Sequence, residues 1–97
     1  MSLQDEWGTV ALHKACAYGH LECAKALLGA GADINKQANY GSTPLIVAAY
    51  NGKIEVVREL LKRGAKKELK NKDGDTALSY YAEQASSNKE AIKALLR

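Results

Sequence analysis

Between residues 54 and 62, the apolar side chains Ile54, Val57, Leu60 and Leu61 recur at helical spacing, with Glu55, Arg58, Glu59 and Lys62 between them. The stretch reads as an amphipathic helix with one apolar stripe. Gly64 follows where a left-handed residue commonly ends a helix. Upstream, the Thr43 hydroxyl can accept a hydrogen bond from an early helix N–H, and Pro44 suits a first helical turn. A shorter helix carrying Leu45, Val47, Ala48 and Ala49 therefore starts there, and Asn51-Gly52 breaks it. From Gly64 to the next repeated glycine the chain is polar and forms an extended turn. One unit reads turn, helix, turn, helix.

The same unit occurs three times. Gly8, Gly41 and Gly74 are 33 residues apart, as are Leu12, Leu45 and Leu78. Gly19 and Gly52, Glu22 and Glu55, Leu28 and Leu61, and Gly31 and Gly64 keep the interval. The third copy holds it through Ala82; Glu90 and Leu96 then lie 35 residues after Glu55 and Leu61, so two residues have entered between them. Helices of about ten residues are not stable alone in water. Stacked copies that bury shared faces are, which is the principle of a solenoid.

Composition narrows the picture. The apolar residues are mostly Ala and Leu, Phe is absent, and only Trp7 and five tyrosines are aromatic. Thin, closely stacked helices in one small domain fit this better than one thick core. No apolar run approaches the ~20 residues that span a bilayer, so no membrane is expected. The two cysteines form no disulfide framework and no secretory pattern opens the chain, which points to the cytoplasm, the nucleus or both.

The pattern G-x-T-P-L-x-x-A-A-x-x-G-x-x-E-x-x-x-x-L-L-x-x-G-A, matched from Gly41 to Ala65, resembles the ankyrin repeat. The resemblance covers residues 5–97 and implies an all-α solenoid of three helix-turn-helix units with β-hairpin-like fingers. Repeats at about 5–37, 38–70 and 71–97 would form one domain. Two departures suggest capping repeats at its ends. Lys14 stands where the other copies have Val47 and Tyr80, and Tyr81 replaces the small Ala48, followed by a lengthened turn at Ser86-Ser87-Asn88. His13 keeps the family's histidine, but Val10-Ala11 replaces its Thr-Pro, and Ile46 and Ser79 stand at the histidine position elsewhere. The Thr–His polar network of the family should be incomplete.

The resemblance further implies a non-catalytic module that binds a protein through finger tips and the concave side of the first helices. Superposing the copies places Trp7, Tyr40 and Asp73 before the repeated glycines, and Thr9, Ser42 and Asp75 after them. Asn39 and Lys72 adjoin these tips, and Tyr18, Tyr50, Asn51 and Glu83 fall at the ends of the first helices. Trp7, Tyr18, Tyr40 and Tyr50 would form an aromatic strip of the kind that anchors interfaces.

Catalytic and metal chemistry finds little support. His13-x-x-Cys16 and His20-x-x-Cys23 offer four zinc-type ligands, yet both cysteines fall at small or apolar helix positions and read as packed thiols. Asn71-Lys72-Asp73-Gly74-Asp75 has its glycine too early for a calcium loop. Gly29-Ala30-Gly31 lacks the strand of a phosphate loop and reads as a helix stop. No nucleophile–base–acid set is recognisable, so neither an enzyme nor a cofactor is expected.

Charge is uneven. Three basic and four acidic residues lie up to Ala48, and eleven basic and seven acidic ones follow it. Lys62, Arg63, Lys66, Lys67, Lys70 and Lys72 crowd eleven residues with Glu68 the lone acid among them. Such a stretch suits an acidic partner or, less well without interleaved aromatics, nucleic acid. The leading expectation is a monomeric adaptor or inhibitor that binds another protein. A structural spacer or engineered repeat protein with no partner of its own is the alternative, and binding through residues 62–72 the third.

Overall fold

The computed structural model describes residues 6–38, 41–82 and 89–96; of residues 6–10, 80–82 and 89–92 only the backbone is described. Six helices follow one another: α1 Glu6–Tyr18, α2 Leu21–Gly29, α3 Pro44–Tyr50, α4 Ile54–Lys62, α5 Ala77–Ala82 and α6 Lys89–Leu96. Each odd-numbered helix packs against the even-numbered one that follows it. Contacts between α1, α3 and α5, and between α2, α4 and α6, stack the pairs into two rows.

Local chemistry sets the boundaries of the middle pair. Thr43 is extended at φ −87°, and its Oγ1 accepts from Ile46 N at 3.2 Å, with Pro44 in the first turn. Asn51 ends α3, where its Nδ2 donates to Val47 O at 2.9 Å. Gly64, at φ +89°, ends α4 as expected. On α4, Val57 and Leu60 are buried and Glu55, Arg58 and Lys62 exposed. Val56 is buried as well, because α4 packs on α2 as well as on α6 and needs a wider apolar stripe than an end helix.

Three expectations change. Trp7 and Thr9 do not stand at a finger tip, because α1 begins at Glu6 and takes both into its backbone. Without the Thr-Pro boundary present at Thr43-Pro44, nothing before Ala11 starts the helix afresh. The fingers contain no β-strand among the described residues. Each is a turn closed by two short-range backbone bonds, Ala38 N to Ser42 O at 2.9 Å and Gly41 N to Ala38 O at 2.8 Å in one, Asn71 N to Asp75 O at 2.9 Å and Gly74 N to Asn71 O at 3.0 Å in the other. Both bonds of each finger lie within the turn itself, and no strand ladder extends from it among the described residues. Third, Cys23 is exposed, whereas Cys16 is buried. Val56, the residue matching Cys23 in the middle repeat, is covered by α2; among the described residues no helix covers α2 on that side. Lys14 is exposed on the same side. Tyr81 and the Ser86-Ser87-Asn88 turn lie outside what the structure describes.

Two tests follow from the packing. Gly41 has φ +74°, and a Cβ there would meet Lys72 N at 3.1 Å and the Asn71 Cα at 3.2 Å, both backbone atoms that cannot swing aside. Gly64 has φ +89° with open space around it. Gly64→Ala should cost about 1 kcal/mol for the left-handed backbone alone, and Gly41→Ala about twice that because a neighbouring finger must move. Chemical denaturation checks the ranking, and equal losses would refute the close finger packing.

The cysteines supply the second test. Burial pushes the Cys16 thiol up to about 12, so little thiolate exists there at neutral or mildly alkaline pH. In the native protein an alkylating reagent should label Cys23 within minutes and Cys16 only on the timescale of unfolding. Peptide mass mapping reads this directly; equal labelling would show that the core opens locally. The unfolded chain releases the Cys16 proton near 9, below the folded value. This contribution to stability is therefore complete below pH 9 and is lost as pH rises toward 12.

Candidate protein-binding surface

The fingers are built outward from buried polar groups. Asn71 is only 7% exposed, and its Oδ1 accepts from Asp73 N at 2.9 Å and Asp75 N at 3.0 Å. With its own N–H and carbonyl bonded across the turn, Asn71 holds Lys72 and Asp73 out at the tip. Both lone pairs of Oδ1 are thus engaged by the turn. Hydrogen bonds between repeats hold the preceding finger in register. Gln37 Nε2 donates to Gly41 O at 3.0 Å and to Lys70 O at 2.7 Å, and Asn35 Oδ1 accepts from Lys66 N at 2.9 Å. His13 Nε2 donates to Ser42 O at 2.8 Å, tying α1 to the base of the finger.

The family network is therefore partly rebuilt. His13 bridges to the next repeat although Val10 stands at the Thr-Pro position of its own copy, and Thr43 caps α3 without a histidine in its own. In the third copy, Thr76 N donates to Ser79 Oγ at 2.9 Å while Ser79 N donates to Thr76 Oγ1 at 3.3 Å, a reciprocal start for α5.

The expected site residues separate into groups. Tyr18 ends α1 and is 66% exposed; Tyr50 ends α3 and is 40% exposed; they are the exposed large hydrophobics among the described residues. The Tyr18 ring lies 6.0 Å from that of His20, tilted by 42°. Lys72 and Asp73 are exposed on the third-repeat finger. Ser42, Asn51 and Asp75 serve local structure: the Ser42 carbonyl closes its finger, the Asn51 amide completes the end of α3, and Asp75 Oδ1 accepts from Ser79 Oγ at 3.1 Å. Asn39, Tyr40 and Glu83, and the side chains of Trp7 and Thr9, lie outside the described residues.

Two concavities were not legible from the repeat pattern. A trough of about 460 Å³ runs between the fingers and is lined by Gln37, Ala38, Gly41, Lys70, Asn71 and Lys72. A larger apolar groove of about 530 Å³ crosses α1 and α2, with Ala15, Tyr18, His20, Cys23 and Leu27 among its walls. The first lies between neighbouring fingers, and the second is a face against which no described helix packs, although the corresponding face of the middle repeat is covered by α1 and α2. Superposing copies compares equivalent positions and does not show the space between them.

Elsewhere the electrostatics are those of a solvated surface. Arg63 Nε donates to Glu59 Oε2 at 2.6 Å, and this hydrogen bond holds the Glu59 carboxyl below its ordinary range. Arg58–Glu55 and Lys25–Glu22 form longer pairs along their helices. Among the described residues, no three His, Cys, Asp or Glu side chains gather closely enough to hold a metal ion. None of the described helices is long and apolar enough to cross a membrane.

Comparison with known proteins agrees with this geometry. Residues 12–97 match the family described as ankyrin repeats (3 copies). The chain is 43% identical over 68 residues to protein phosphatase 1 regulatory subunit 27 of Homo sapiens, covering 70% of this chain and 44% of that protein. It is 41% identical over 73 residues to SH3 and multiple ankyrin repeat domains protein 2 of Homo sapiens, covering 75% of this chain and 4% of that protein. It is 42% identical over 65 residues to DNA replication inhibitor plutonium of Drosophila melanogaster, covering 67% of this chain and 37% of that protein. The chain thus spans less than half the length of each of these relatives. Three copies in register, their paired helices and the turns between them lead to one conclusion: the chain belongs to the ankyrin repeat family.

Proposed function

We propose that the chain is a non-catalytic protein-interaction module, an adaptor or inhibitor, that engages a partner protein through its fingers and the row of first helices. Ankyrin repeats are protein-interaction modules, and relatives whose names describe a phosphatase regulatory subunit and a replication inhibitor support a regulatory role. The observation that carries the reading is the placement of Tyr18 and Tyr50. Each closes the first helix of its repeat, and each leaves a large amphipathic ring in solvent on an otherwise well-packed row. Tyrosines so placed bury much area at low conformational cost when a partner arrives. The reading places the module, as a monomer, in the cytoplasm or nucleus.

Tyr18→Ala/Tyr50→Ala should weaken a captured partner by about tenfold or more, while leaving the melting temperature nearly unchanged. Quantitative affinity capture from lysate, paired with thermal denaturation, measures both. Partners retained at full strength by a folded double variant would place the binding surface away from this row.

A further inference from the structure

From the trough between the fingers, we infer that the partner presents an extended acidic segment with carboxylates two residues apart. This inference rests on the protein-interaction reading and gives its chemistry. Lys70 and Lys72 are exposed on either side of buried Asn71. Both lysines line the same trough, one on each side of the residue that the turn anchors. Among the described residues, no acidic side chain lines it.

Their backbone is held from several directions. Gln37 Nε2 bonds the Lys70 carbonyl at 2.7 Å, and Asn71 anchors the chain between the two lysines through its N–H, its carbonyl and Oδ1. The loop is thus ordered before a ligand arrives, and only the lysine side chains must settle. Glu68, Asp73 and Asp75, the nearest acids in sequence, lie outside the lining. Asp75 accepts from Ser79 Oγ, and Asp73 stands at the tip outside the lining. Exposed Lys62 and Lys66 add the same sign within the basic stretch and steer an acidic ligand on approach.

A protein segment fits these features better than nucleic acid. Among the described residues no aromatic ring lines the trough to stack a base, and two lysines along its walls match a pair of carboxylates. A phosphate backbone is followed by a longer basic stripe.

Fluorescence anisotropy with a labelled peptide of about ten residues alternating Glu and Ser tests the inference, beside its Gln/Ser and Lys/Ser counterparts and a single-stranded oligonucleotide. The Glu peptide should bind, the Gln peptide should not, and binding should weaken as salt rises from about 50 to about 200 mM. Lys70→Glu/Lys72→Glu should weaken the Glu peptide by about tenfold or more and gain affinity for the Lys peptide. Lys14→Glu/Lys25→Glu, which changes net charge equally, should weaken it far less. Equal losses in both double variants would reduce the effect to net charge and overturn the inference. So would an absence of peptide binding, or tighter oligonucleotide binding lost with Lys70 and Lys72. Failure of the peptide alongside a positive Tyr18/Tyr50 result would remove the acidic partner and leave the interaction module standing.

Discussion

Close approach of α1, α3 and α5 is the constraint on which the rest depends. Ala15, Cys16, Ala48, Ala49 and Ala77, all on these three helices, are at most 5% exposed. Small side chains let short helices approach closely, so that each gains packing it cannot supply itself. The α3 helix has seven residues and α5 six, far below the length at which a helix is stable alone. Their persistence is a property of the stack. A larger residue at Ala48 would push apart more than its own contacts, since the spacing of the row also sets that of the fingers.

That spacing is read out in the hydrogen bonds between repeats. His13 to Ser42, Asn35 to Lys66 and Gln37 to Lys70 join residues 29 to 33 positions apart. In each, a side chain of one repeat meets a backbone group of the next. This explains both what the sequence reveals and what it hides. Thr43, Pro44, Asn51 and Gly64 act within a few residues of themselves, so their chemistry predicts the bounds of α3 and α4 directly. The partner of Gln37 is a carbonyl, which every residue carries, and no residue type announces it. The trough belongs to the same class, because its walls come from two copies that superposition treats as equivalent.

A shared period does not give each copy the same environment: among the described helices, those of the middle repeat have neighbours on both sides and those of the first repeat on one. Cys23 sits in phase with buried Val56 and is nevertheless exposed, since no described helix covers it. Trp7 and Thr9 sit in phase with a finger, yet Val10-Ala11 supplies no helix start, so α1 runs through them. The period assigns a residue to a layer, and the neighbours decide whether that layer is closed.

The same division separates the residues that maintain the fold from those available to a ligand. At the finger tips, a polar side chain either completes the turn or meets a partner, and the geometry shows which. Asn71 serves the turn through its N–H, its carbonyl and Oδ1, and Asp75 accepts from Ser79, whereas the side chains of Lys70 and Lys72 are exposed on either side of Asn71. Charges placed there cost little in stability, because they remain in water. Their positions are nonetheless restricted, because the turn beneath them is bonded on both sides. Changing the tip residues can therefore alter what is bound without disturbing the alanine row, and changing the alanine row would displace every tip at once.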